Sequence, residues 1–304
     1  MLPGQFLIQL LRNELSPRHE LRAGSLLRAI NCFVRAMRNP HLTREWLDFL
    51  ETFARAHDLP PARPEIVMKP LGNFAIHGLN VHERVALLRS HYALSAKAIP
   101  RRLLSSLWGD ASVDLGDLCG KSGKTYRLTL DPARHCFKEG EYSLTLTDAM
   151  DGVVLAKLTF VLTHLSGKTP ERVALIGGLQ GPSTCFDMDR KGRIVSATRD
   201  LSGLRPKMAV FVALSAFAAA SGATSLRAVS NRTHTINADA SYQRKRLRAD
   251  YDAFWIERRG VPDAFGFKLP LDLAPKLERT ARNEQRAQVV TLVESQFQTK
   301  VSPL

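Results

Sequence analysis

Residues 124–180 read KTYRLTLDPARHCFKEGEYSLTLTDAMDGVVLAKLTFVLTHLSGKTPERVALIGGLQ. Apolar side chains recur at every second position in Tyr126-Leu128-Leu130 and Tyr142-Leu144-Leu146, and an apolar run fills Leu155 to Leu162. Successive side chains of a strand point to opposite faces, so this period of two predicts half-buried strands of an antiparallel sheet. Gly140-Glu141 and Asp151-Gly152 fall where the chain must reverse. A further strand, Val173 to Gly177, runs into a glycine cluster.

The pattern differs on both sides of this meander. From Phe6 to about His57 apolar residues recur at helical spacing, as in Leu26, Leu27, Ile30, Phe33, Val34 and Met37, which predicts three helices. The segment LPPARP at 59–64 stops the third, because proline lacks an amide hydrogen and disfavours helix in the residue before it. A helix pair is expected near Val81–Leu94 and Ile99–Trp108. Downstream, Pro206–Gly222 reads as a helix and Thr224–Val229 as a short strand. The expected fold is α+β: an N-terminal helical region (residues 1–110), then an α+β domain (residues 111–304) with a mixed, mostly antiparallel sheet.

Lys and Arg total 43 against 29 Asp and Glu, a formal net charge of +14, with 44% hydrophobic and 24% charged residues. These proportions exclude a disordered polyelectrolyte. The positive excess points to a polyanionic partner: tRNA, an acyl carrier protein, a phosphate-bearing donor, or an anionic membrane touched peripherally. A solvated basic surface is the plainer explanation. Cys32, Cys119, Cys136 and Cys185 form no Cys/His cluster, so no metal site is expected. The apolar run Phe6–Leu11 lacks the basic leader and cleavage site of a secretory signal. Met208–Ala220 falls short of the roughly 18 to 20 residues that cross a bilayer. The expectation is a cytoplasmic chain with reduced thiols and no transmembrane segment.

Four stretches carry polar groups suited to chemistry. IGGLQGP (Ile176–Pro182) ends a predicted strand; the amides of Gly177, Gly178, Gln180 and Gly181 suit a phosphate or oxyanion, and a bulge or sheet corner explains the glycines equally well. A basic run follows, Arg190, Lys191, Arg193, Arg199, Arg205 and Lys207. Within it GLRPK places Arg205 and Lys207 at a helix start, where free amides and partial positive charge attract phosphate. AVSNRTH (Ala228–His234) sets Ser230, Asn231 and His234 just beyond a strand, with His234 the candidate acid or base. DYDAFW (Asp250–Trp255) offers Asp250 or Asp252, with Asp252 the leading choice, as a base or to orient His234, amid aromatics too apolar for an exposed loop; pairing with neighbouring arginines is the plainer role. The dense patch Arg244–Arg248 suits RNA or lipid phosphates.

IGGLQGP, the ATR at Ala197–Arg199, GLRPK, AVSN with His234, and DYDAFW occur in this order in the VirK/YbjX family of bacterial proteins. The chain resembles that family from about His91 to Pro270, with a looser match in the N-terminal helices. It departs where the family often has an acidic-glycine pair after the aromatics; here Ile256–Gly260 reads IERRG. The resemblance implies links to virulence and to resistance against cationic antimicrobial peptides. The order of meander, glycine-bearing strand, anion-binding loop, helix and strand is also similar to the acyltransferase fold of the GNAT type. In that fold, amides beyond a splayed strand hold the pyrophosphate of an acyl donor. The long connection from Gly178 to the helix and the lack of an RxxGxG loop depart from it.

The leading expectation is an acyl or aminoacyl transferase using a coenzyme A thioester, an acyl carrier protein or an aminoacyl-tRNA. Arg199, Arg205 and Lys207 would hold phosphate, the glycine amides the carbonyl, and His234 with Asp252 the protons. The alternative is a non-enzymatic basic protein that binds anionic lipid or nucleic acid in envelope stress or antimicrobial peptide resistance.

Overall fold

The computed structural model describes residues 34–134, 136–165, 171–182, 189–238, 250–271 and 280–298. The expected helices before Val34 and the Arg244–Arg248 patch lie outside them. The architecture is α+β, with helices ahead of an eight-stranded sheet of order β1-β2-β3-β4-β5-β6-β8-β7. Its strands are β1 (Val113–Cys119), β2 (Thr125–Pro132), β3 (Tyr142–Asp148), β4 (Val154–Leu165), β5 (Glu171–Gln180), β6 (Ser225–Ala228), β7 (Val261–Pro262) and β8 (Phe267–Leu269). All neighbours are antiparallel except β5 and β6, which run parallel. The 124–180 meander is as the period of two requires. Sequence reasoning missed β1, where a bulge between Asp114 and Gly116 interrupts the alternation.

The helices are α1 (Pro40–Ala56), α2 (Pro64–Met68), α3 (Val81–Ala98), α4 (Arg101–Trp108), α5 (Arg190–Asp200), α6 (Pro206–Ala220), α7 (Tyr251–Ile256) and α8 (Ala281–Glu294). The registers put Leu128, Leu146 and Ala156 on one face of the sheet, with Leu130, Leu144, Leu158 and Leu179, and then Tyr142, Phe160 and Ile176. All are buried. Helix α6 covers this face, with Phe217 edge-on to Phe160 at 5.3 Å, and α8 packs against α6 and β1. The other face is polar: Arg127, Thr129, Asp131, Ser143, Thr145, Lys157 and Thr159. Connected by α5 and α6, the parallel pair β5–β6 brings the β5 C-terminus, the start of α6 and the β6 C-terminus to one end of the sheet.

The N-terminal helices meet the sheet through buried polar contacts. Strand β4 outruns β3, which begins opposite Phe160, and α3 takes up the exposed ladder: Leu162 N–H donates to His91 Nδ1 and His164 N–H to Ser90 Oγ, both at 3.0 Å. Nearby, Lys69 Nζ lies 2.6 Å from Glu141 Oε1 and donates to Gly140 O at 3.0 Å, while Tyr92 Oη donates to Glu141 Oε2 at 2.6 Å. Burial pushes the Lys69 ammonium down, against the pull of Glu141.

Burial, aided by the Lys69 charge, pushes the His91 imidazole from its ordinary 6.5 down to about 3. The unfolded chain therefore binds a proton that the folded chain refuses between these values. The stabilisation is complete above about pH 6.5 and declines as pH falls, by about 1.4 kcal/mol per unit for one proton. His91→Asn, whose amide oxygen can still accept from Leu162, is expected to flatten that slope in urea unfolding between about pH 6.5 and 4. An unchanged slope would assign the acid sensitivity to other groups.

Candidate functional site

The loop Ala133–Glu141, joining β2 to β3, turns at Cys136, whose carbonyl accepts from Glu139 N–H at 2.8 Å, and folds onto β4 and β5. Glycine makes this approach possible. A Cβ on Gly177 would stand 1.8 Å from Glu139 O, one on Gly178 1.9 Å from Glu139 Oε2, and one on Gly140 2.7 Å from Phe160 O. Gly177 is the extra residue where β5 bulges between the Thr159–Gly178 and Phe160–Ile176 pairs. The glycine cluster thus has the bulge form, and the Glu139 carboxylate lies over it.

Glu139 is the group that sequence reasoning missed. Gln180 Nε2 donates to its Oε1 at 3.0 Å and its Oε2 at 3.1 Å. His234 Nε2 stands 3.5 Å from Oε1, with the two side chains 5% and 13% exposed. His234 Nδ1 accepts the Ile236 N–H at 3.1 Å, so the neutral ring carries its proton on Nε2. That atom is buried without a hydrogen-bond partner among the described residues. The ring stacks on Tyr251 with centroids 5.1 Å apart, and Tyr251 Oη accepts from Leu179 N–H at 3.2 Å. Beside this group, burial and then the Glu139 charge push the Cys136 thiol up to about 11, which keeps it protonated and poorly nucleophilic near neutrality.

The strands around these groups part company. Parallel pairing runs from Val173–Ser225 to Ile176–Ala228, closed by Val229 N–H to Ile176 O at 3.0 Å. Strand β5 continues to Gln180 without β6. Tyr251 fills part of the gap, delivered by hydrogen bonds between the AVSN and DYDAFW motifs. Asn231 Nδ2 donates to Asp250 Oδ1 at 3.0 Å, Tyr251 N–H to Asn231 Oδ1 at 2.9 Å, Asn231 N–H to Asp252 Oδ1 at 2.7 Å, and Trp255 Nε1 to Val229 O at 2.9 Å. Ser230 and Thr233 exchange hydroxyl and amide bonds, with Thr233 Oγ1 accepting from Ser230 N–H at 2.8 Å and Ser230 Oγ from Thr233 N–H at 3.1 Å. Ser230, Asn231 and Asp252 therefore shape the loop. The carboxylate facing His234 is that of Glu139, while Asp252 holds the Asn231 backbone.

The basic residues separate. Lys207, in the first turn of α6, has its Cε 4.0 Å from the Cβ position of Gly181. It has no hydrogen bond or ion pair among the described residues, and burial pushes its ammonium down. Arg205 is the exposed N-cap residue of the same helix. Arg199 is exposed in the last turn of α5, the helix that replaces the expected loop. The next residue, Asp200, accepts from Ser122 N–H at 2.7 Å and Tyr126 Oη at 2.8 Å, so Arg199 sits by the β1–β2 turn, three strands from β5.

Gly177→Ala should destabilise the chain by about 1 to 3 kcal/mol or more, because the opposing atom is backbone. Gly178→Ala should cost less, since the Glu139 side chain can swing aside. Urea unfolding of both variants checks the order; equal costs would mean that the loop does not rest on the bulge.

Comparison with known proteins gives a family and a relative. The family model described as "Protein of unknown function (DUF535)" matches residues 24–290. "Uncharacterized protein YbjX" of Escherichia coli (strain K12) is 30% identical over 258 residues, covering 84% of this chain and 76% of that protein. No solved structure matches. With nearly the whole described fold inside that match, the chain belongs to the DUF535 family, the VirK/YbjX family that its motifs resemble.

Proposed function

We propose that the chain is an acyl or aminoacyl transferase whose donor bears phosphate: a coenzyme A thioester, an acyl carrier protein or an aminoacyl-tRNA. One observation carries the reading. Where β5 and β6 part, a buried His234 Nε2 faces the Glu139 carboxylate at 3.5 Å, while the half-buried Lys207 stands at the α6 N-terminus beside Gly181, and neither has a hydrogen-bond partner among the described residues. Buried polar atoms without partners are rare and mark places where water or ligand completes the set.

The division of labour follows from the protonation pattern. Lys207 and the first amides of α6 hold the donor phosphate. The His234 Nε2–H donates to the donor's carbonyl oxygen as negative charge develops there. Glu139 takes the proton of the acceptor nucleophile as its bond to the carbonyl carbon forms; the bond to sulfur or oxygen then breaks, and the leaving group departs with that proton. His234 Nδ1, engaged by Ile236, is not available as the base, which moves proton handling from the His234–Asp252 pair to Glu139. The GNAT likeness is supported by the bulged, splayed β5 and the β5–α6–β6 crossover. No helix of the described residues is long and apolar enough to cross a membrane, which suits a donor reached from water.

Coenzyme A serves as the probe. Lys207→Ala should weaken its binding by roughly one to two decades, the worth of a charge-assisted contact of about 1.5 to 3 kcal/mol. Arg199→Ala should leave it nearly unchanged. Titration calorimetry at two salt concentrations checks both; equal losses with a steep salt dependence would favour the basic lipid-binding or nucleic-acid-binding protein instead.

A further inference from the structure

Glu139 and His234 come from two loops that share no strand pairing, and a third segment ties both down. Ala75 N–H donates to Lys138 O at 2.8 Å and His77 N–H to Thr233 O at 2.7 Å. Each acceptor is the immediate chain neighbour of a member of the pair. On the far side of Glu139, Lys69 holds Gly140 O at 3.0 Å and the Glu141 carboxylate at 2.6 Å. The residues between these contacts are themselves fixed. Arg84 Nε donates to Pro70 O at 2.7 Å and Arg35 Nη1 to Leu71 O at 2.7 Å, and Phe74 and Ala75 are fully buried.

The backbone of this segment is strained at the point of contact. Ala75 has φ 58, a left-handed conformation uncommon for a residue with a Cβ, and Ile76 N–H closes a tight turn onto Phe74 O at 2.7 Å. Such turns are rare and persist only where the surroundings over-determine them. Here the turn aims the N–H groups on either side of Ile76, those of Ala75 and His77, at two different loops.

We infer that Lys69–His77 is a positioning element that sets the Glu139–His234 separation, which makes the N-terminal region part of the site. The inference rests on the transferase reading only for the task that it gives the pair, because the separation itself exists without substrate. Lys69, Ala75 and His77 act through their neighbours and are positioning residues.

The test compares two contacts of His234 in the full-length chain by nuclear Overhauser spectroscopy. One joins the His234 ring to the Glu139 methylene and depends on the clip. The other joins it to the Tyr251 ring and depends on the Asn231 bonds. Lys69→Met with Glu141→Gln removes the ammonium without stranding a buried carboxylate. His77→Pro deletes the donor to Thr233 at an exposed position and decides the matter if the double variant does not fold. In a folded variant the Glu139 contact is expected to fall by more than half while the Tyr251 contact persists. In Leu118→Ala, a core deletion on β1, both should persist. An unchanged Glu139 contact overturns the inference, and so does equal loss of both contacts, which would show general loosening. Coenzyme A titrated into the same samples reports on the transferase reading separately: absence of binding to the wild type removes that reading and leaves the positioning result intact.

Discussion

The site depends on one steric allowance: the backbone of Glu139 lies where Gly177 has no side chain, and its carboxylate where Gly178 has none. A methyl at either position would overlap its carbonyl or carboxylate. Everything else follows from that approach. Seated over the bulge, Glu139 meets Gln180 from its own side of β5 and His234 from the far side of the gap. The same bulge shifts the β4–β5 register next to the point where β6 stops. A close-packed interior supplies the rigidity, because neighbours that touch this tightly cannot shift separately.

Charge is handled with the same economy of contact. In a chain of net charge +14, the carboxylate at the centre is held by the Gln180 amide and faced by the His234 ring, while the glutamate of the buried lysine–glutamate pair sits two residues further along the same loop. A buried ion pair of this kind contributes little net stability, since desolvation offsets most of the attraction. What it fixes is geometry. Lys69 holds Gly140 and Glu141 in place, and Glu139 lies between them and Lys138, whose carbonyl takes the Ala75 N–H.

The sheet could be read in advance because alternation is local: Tyr126-Leu128-Leu130 and Tyr142-Leu144-Leu146 each announce a strand without reference to any other. The glycine cluster and the helix at Pro206 are marked by equally local signals in the sequence. Glu139 was not, since KEGE before a strand looks like an exposed turn and its partners lie about forty residues or more away in sequence. The tautomer of His234 depends on the Ile236 amide, a loop geometry with no sequence signature. Asp252 was read as the partner of His234, whereas the Asn231 backbone N–H claims its carboxylate. The basic run at Arg190 folds into α5 because Asp189 caps it through Gly192 N–H at 2.8 Å, which carries Arg199 away from the β5 end.

On the proposed function the gap between β5 and β6 receives a phosphate-bearing donor next to Glu139 and His234. A crystal structure of the chain grown with coenzyme A tests it most directly. Phosphate density is expected at the α6 N-terminus within hydrogen-bonding reach of Lys207 Nζ, with the thiol end running along Gly181 and Gln180 toward the His234 ring. Density confined to exposed arginines such as Arg199, with the Lys207 ammonium untouched, would contradict it.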